Sequence, residues 1–230
     1  MTPQLKFDGG AIFKSALQLF KQQAFVLVSF GFVAGLGSWS FASIMRPALG
    51  AMPTLVFETV IGSLIFAAQI LLADDGRLGR RRPLEAVWAR LQPRLVPLIV
   101  LPVAAAGLTV AGLLLLIVPG IYVAALLLPM TAIIVLEPPS MGALRRSIEL
   151  ARPEGWPLAG VVLRLVLVFF LATVPVSLIL QQVVQGVGPA LIWQAGIIAV
   201  NAALSGLSAT VSLLVYLKLT EMERPEDVFE

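Results

Sequence analysis

Three polar side chains, Glu58, Arg164 and Asn201, each interrupt a long apolar run, and Glu137 closes another such run shortly before the arginine pair Arg145 and Arg146. Ionisable groups inside a bilayer are costly, so each is a candidate for proton or cation transfer, for contact with a polar solute, or for an ion pair between helices. Three readings stay open for Glu58: a protonated acid bonded to a neighbouring helix, the lining of a polar cavity, or a proton or cation pathway. Glu58 and Arg164 lie about seven residues in from opposite ends of their runs, or roughly 10 Å deep at 1.5 Å per residue. In a hydrocarbon core of about 30 Å a direct pair requires both side chains to reach the midplane. The alternative for Arg164 is to snorkel toward the headgroups.

Asn201 shares its run with Ala195, Ala199, Ala202, Gly206 and Ala209, alternately four and three residues apart. Such a stripe lets two helices approach and lets the amide bond across the seam; the competing reading is a solute site. For Glu137 the readings are a clamp and a solvated surface carboxylate. As a clamp it accepts hydrogen bonds from Arg145, Arg146 or the basic segment further back, and ties the following helix to the bundle.

The chain contains neither cysteine nor histidine. That removes thiolate chemistry and the commonest general base and metal ligand. No nucleophile, phosphate-binding or chelating motif appears, and Gly35-Leu-Gly37 lies inside an apolar run with no strand before it. No catalytic residue, cofactor or metal site is expected, and the chain is not read as an enzyme.

These residues must be positioned by membrane helices. Of the 230 residues, 59% are hydrophobic and 13% charged, about half the charge of an ordinary globular chain, and the mean hydropathy is +0.96. The expected fold is an all-α polytopic bundle forming a single domain, with spans at about 24–45, 52–73, 95–118, 121–136, 157–180 and 190–217. Three amphipathic segments, 8–22, 83–92 and 140–152, have helical spacing with one apolar face and are expected to lie at the membrane surface. Pro119-Gly120 suits the centre of a type II turn, so spans three and four are expected to form a tight hairpin. Span four is short and contains Pro129, so its ends need support from protein or local thinning.

Fourteen of the sixteen basic residues fall on one side of this layout, which puts both termini in the cytoplasm. Arg77, Arg80, Arg81, Arg82 and Arg152 are then candidate contacts for anionic lipid headgroups, and Trp88 and Trp156 candidate interfacial anchors. Nucleic acid is not an expected partner, because no soluble module presents the arginines.

The layout also suggests a unit used three times in parallel. Phe13–Phe25 aligns without gaps to Leu144–Trp156, while the middle copy, 83–98, matches more loosely and needs a gap before its span. The rival reading is that any amphipathic helix before a span looks like any other.

Over Pro119–Leu158, the run PGIYV followed by LP, VLE and ALRRSIELARPEGWPL resembles a bacterial family of six-span membrane proteins. That family includes YciC-like proteins and the membrane domain fused to some glycerophosphodiester phosphodiesterases. The resemblance implies six spans and cytoplasmic termini in the inner membrane. It implies no reaction, since hydrolase chemistry in fused members belongs to a separate soluble domain. The leading functional expectation is a non-enzymatic component that organises lipids or a membrane-protein partner. The alternative is a small-solute or ion transporter using Glu58 and Asn201. A polar cavity reaching Glu58 favours transport; a dry bundle with basic grooves at one edge favours the lipid or partner role.

Overall fold

A computed structural model describes residues 7–80, 82–187 and 190–223. Every regular element among them is helical: α1 (Gly9–Leu49), α2 (Ala51–Arg77), α3 (Leu84–Leu91), α4 (Leu95–Leu115), α5 (Ile117–Leu127), α6 (Met130–Leu136), α7 (Ala143–Ala151), α8 (Gly155–Val187) and α9 (Ala190–Glu223). Six helical stretches are long and apolar enough to cross a membrane, with α5 and α6 together making the fourth. Leu163, Leu167, Phe170, Leu171 and Leu178 on α8 are all exposed, as are Leu108, Val110 and Leu114 on α4. Apolar surface this continuous belongs in hydrocarbon, and the chain is a multi-pass membrane protein.

The separate N-terminal amphipathic helix expected at 8–22 does not exist. Asp8 caps a single 41-residue helix, its Oδ1 accepting from the backbone N–H groups of Gly10 at 2.8 Å and Ala11 at 3.2 Å. At 1.5 Å per residue that helix is about 60 Å long, twice a hydrocarbon core. The reason lies in two residues. After α3 and after α7 a three-residue 3-10 turn intervenes, Gln92–Arg94 and Arg152–Glu154, each with a proline at its centre. The prolines Pro93 and Pro97 correspond to Pro153 and Pro157, whereas α1 carries Gln22 and Val26 at those places. Proline removes a ladder donor and clashes with the preceding turn; without it α1 runs on.

The same register holds in the core. Leu27, Leu98 and Leu158 are each fully buried, and one step earlier Ala16, Val87 and Ser147 are buried too. The middle and third copies therefore align from Leu84 and Leu144 onward without the gap expected from sequence.

The hairpin between α4 and α5 also differs from expectation. Its break is Leu116, extended at φ −166° and ψ 148°, and Pro119-Gly120 sits inside the first turns of α5. Proline is tolerated there because its missing N–H has no helical partner anyway. Glycine is needed for packing: a Cβ on Gly120 would stand 2.5 Å from the Leu113 side chain, and one on Gly112 3.0 Å from the Gly120 Cα. After Pro129, α6 is buried at every position from Met130 to Val135. The short fourth span is thus held at its end by protein.

Most buried side chains lie in the half of the bundle that holds the start of α1 and the end of α9, hereafter the terminal end: Ala67–Ala73, Met130–Val135, Leu158–Val162 and Leu207–Leu219 supply much of the core. Toward the opposite end the helices are less covered.

Candidate functional site

The seam of α1, α2 and α9 carries the site. On α2, Glu58, Gly62, Gln69 and Gly76 recur at three- to four-residue multiples and share one helical face. Gln69 is fully buried at the point where the three helices meet. Its Nε2 donates to the carbonyl oxygen of Leu27 on α1 at 3.1 Å and to that of Ala202 on α9 at 3.4 Å, and its Oε1 accepts from Ser205 Oγ at 2.6 Å. The amide fits because two glycines face it. A Cβ on Gly31 would lie 2.7 Å from Gln69 Nε2 and 3.1 Å from the Ala202 Cβ, and one on Gly206 3.2 Å from the Leu27 Cβ.

Above this knot, away from the terminal end, the three helices part around a cavity of about 420 Å³ whose polar lining includes Ser38, Trp39, Glu58, Gln194, Asn201 and Ser205. Gly31, Gly35 and Gly62 provide much of its width. This volume falls in the range of small-molecule sites. Ser205 belongs both to the cavity wall and to the Gln69 knot, so the knot is the cavity's floor.

Glu58 reaches this cavity and pairs with Arg46, at 3.3 Å, rather than with Arg164. The pair is half exposed, with side-chain exposures of 62% for Arg46 and 40% for Glu58, so its net contribution is small, about 0–1 kcal/mol. Asn201 lines the cavity and is exposed to it. The amide that bonds across the helix seam is Gln69, not Asn201. Gln69 stands in the Ala-rich run FAAQILLA, three turns from Glu58 on one face, and that shared face was the available signal.

Arg164 extends toward the terminal end. Its guanidinium lies within 4.0 Å of where side chains on Gly9 and Gly10 would begin, in a groove of about 590 Å³ that also includes Asp8 and Trp156. This is the direction in which a snorkelling side chain points.

At the terminal end Glu137 is tied to three elements. Tyr216 OH on α9 donates to Glu137 Oε1 at 3.2 Å, Arg146 Nε on α7 stands 3.7 Å from the same oxygen, and Arg94 Nη2 donates to the Glu137 backbone oxygen at 3.2 Å. Arg146 meanwhile donates to both carboxylate oxygens of Glu223, Nη1 to Oε1 at 2.6 Å and Nη2 to Oε2. Arg145 points outward and pairs with Glu149 at 2.6 Å. Of the basic cluster, Arg77 pairs with Asp74 at 3.0 Å and Arg82 with the buried Asp75 at 3.1 Å, while the side chains of Arg80 and Arg152 are exposed. Arg81 lies outside the described residues. Among the described residues no group of three or more His, Cys, Asp or Glu side chains could hold a metal.

No family model matches the chain, and neither the curated proteins nor the solved structures contain a match.

Proposed function

We propose that this protein is a small-solute transporter of the bacterial inner membrane, with both termini cytoplasmic, and that it admits its solute into the α1, α2 and α9 vestibule. The observation that carries this reading is the open polar cavity reaching Glu58 between three apolar helices. Polar groups in hydrocarbon are retained where they face a water-filled path or one another, and here a carboxylate, two amides and two hydroxyls converge on one space. One carboxylate with neutral donors and acceptors suits a small organic cation or a neutral hydrogen-bonding solute, and disfavours anions. The chemistry is binding and passage without covalent change.

A second reading, a lipid- or partner-organising component, is supported by a different observation. Arg80, Arg152 and Arg164 are exposed toward the terminal end together with Trp88 and Trp156, at 48% and 68% exposure. Such a mixture suits anionic headgroups. Pairing of Arg77 and Arg82 within the chain leaves fewer free cations for that role, and transport is the reading the geometry favours.

Uptake of radiolabelled methylammonium and of glycerol by purified protein in liposomes tests it. The expected result is entry of at least one solute faster than in protein-free liposomes, with Glu58→Gln slowing methylammonium selectively. Rates for both solutes equal to those of protein-free liposomes contradict the proposal.

A further inference from the structure

We infer that the groove between the start of α1 and the first turns of α8 holds one zwitterionic membrane phospholipid, with Arg164 on its phosphate and an acyl chain along the outer face of α8. The inference goes beyond the transport reading and does not depend on it, since this groove and the vestibule share no lining residue.

Arg164 is the tenth residue of a helix that crosses the membrane, and it is exposed. Among the described residues it makes no hydrogen bond or ion pair. A charge at such a depth is costly unless an opposite charge, water or a headgroup meets it. Its guanidinium reaches the groove of about 590 Å³ that Asp8, Gly10, Trp156 and Gly160 also line. Glycines leave the room. A Cβ on Gly160 would meet nothing within 4 Å, and one on Gly10 would stand 4.0 Å from both Nη1 and Nη2 of Arg164 and 3.2 Å from Asp8 Oδ1. The two opposite charges thus border one small space.

The surface that continues from the groove identifies the occupant as a lipid. Gly160, Arg164, Leu167, Leu171, Val174 and Leu178 follow one another at alternating spacings of four and three residues, so they share one face of α8. Leu167, Leu171, Val174 and Leu178 are all exposed. From Arg164 to Leu178 this apolar stripe runs about 20 Å at helical rise. A cation at the head of such a stripe matches an amphiphile with a phosphate at one end and a hydrocarbon chain running into the bilayer. A soluble anion would leave the stripe unused. Trp156 stands on the terminal side of Arg164 at 68% exposure, where an indole ring marks the headgroup level.

Arg164 offers a planar fork of donors that fits two phosphate oxygens. Asp8 offsets that charge, so a headgroup carrying an ammonium beyond its phosphate is favoured over a net anion.

Native mass spectrometry of the purified protein, incubated in detergent with equal amounts of phosphatidylethanolamine and phosphatidylglycerol, tests the site. The parent is expected to retain one phosphatidylethanolamine in about fivefold or greater preference. Arg164→Gln lowers that retention by about tenfold through loss of the charge-assisted bonds. Gly160→Leu fills the groove from a position where the added side chain begins in open space, and it lowers retention as much without lowering the melting temperature. Asp8→Asn keeps a good helix cap and raises phosphatidylglycerol at least to the level of phosphatidylethanolamine. Arg80→Gln, at an exposed arginine outside the groove, changes nothing.

Retention in Arg164→Gln and Gly160→Leu equal to that of the parent overturns the site. A parent preference for phosphatidylglycerol, or an unchanged ratio in Asp8→Asn, overturns the zwitterionic assignment. Displacement of the lipid by an approximately tenfold excess of inorganic phosphate also overturns the proposal, because the groove is then a site for free anions. If Arg164→Gln does not fold, Gly160→Leu decides alone.

Discussion

Ser205 Oγ donates to Gln69 Oε1 at 2.6 Å, joining α9 to α2 at the level where the vestibule ends and the buried core begins. That bond gives Gln69 its orientation, with Nε2 turned to the Leu27 and Ala202 carbonyls. The consequences can be separated experimentally.

Gly31 is the position at which the packing around Gln69 is tightest. Gly31→Val forces the amide and Ala202 aside and is expected to destabilise by about 1–3 kcal/mol. Gly37→Ala, where an added Cβ meets nothing within 4 Å, is expected to stay within about 0.5 kcal/mol of the parent. Thermal unfolding in detergent compares the two.

Glu58 and Arg46 form an exposed pair, so its loss separates function from stability. Glu58→Gln is expected to lower stability by less than about 1 kcal/mol while reducing methylammonium uptake by about tenfold, the effect of about 1.4 kcal/mol in binding. Melting temperature and initial uptake rate are measured on the same preparation; an equal fall in glycerol uptake would point to damage of the whole vestibule.

The two arginines after Glu137 are expected to behave differently. Arg146 reaches Glu137, Glu223 and the neighbourhood of Tyr216, and Arg146→Ala is expected to cost about 1–2 kcal/mol after allowance for partial exposure. Arg145 faces outward with Glu149 alone, and Arg145→Ala is expected to leave the melting profile unchanged. A smaller loss in a Tyr216→Phe background would show that Arg146 and Tyr216 act through the shared Glu137 carboxylate.

Leu27, Leu98 and Leu158 occupy one place in the three repeated units and are all fully buried. Each Leu→Ala substitution is expected to cost about 2–5 kcal/mol. Unfolding of the three variants should give losses that agree within a factor of two or three.

The six apolar runs were legible because a bilayer leaves little freedom in length and composition. Helix breaks were less so. Pro119-Gly120 satisfies a turn and equally the first turns of a helix, and the contact of Gly112 with Gly120 decides between them. Continuity of α1 was readable in Gln22 and Val26, which stand where the other copies have prolines. The amphipathic spacing of all three segments hid that difference. Asn201 and Gln69 are both amides within spans, and the rotation of each helix about its axis decides which faces the cavity and which the knot. Periodicity along one helix does not contain that rotation. The pairing of Glu58 with Arg46 follows from the end of α1 returning beside α2, whereas Arg164 lies on α8 with its guanidinium toward the opposite end.

The central claim is that polar solute enters between α1, α2 and α9, and the most direct test compares two thiols in liposomes. Asn201→Cys lines the vestibule, and Leu171→Cys lies on the apolar outer surface of α8 with 66% exposure. A charged, membrane-impermeant thiol reagent is predicted to modify Asn201→Cys rapidly and to leave Leu171→Cys unmodified. Equal protection of both cysteines would contradict the account.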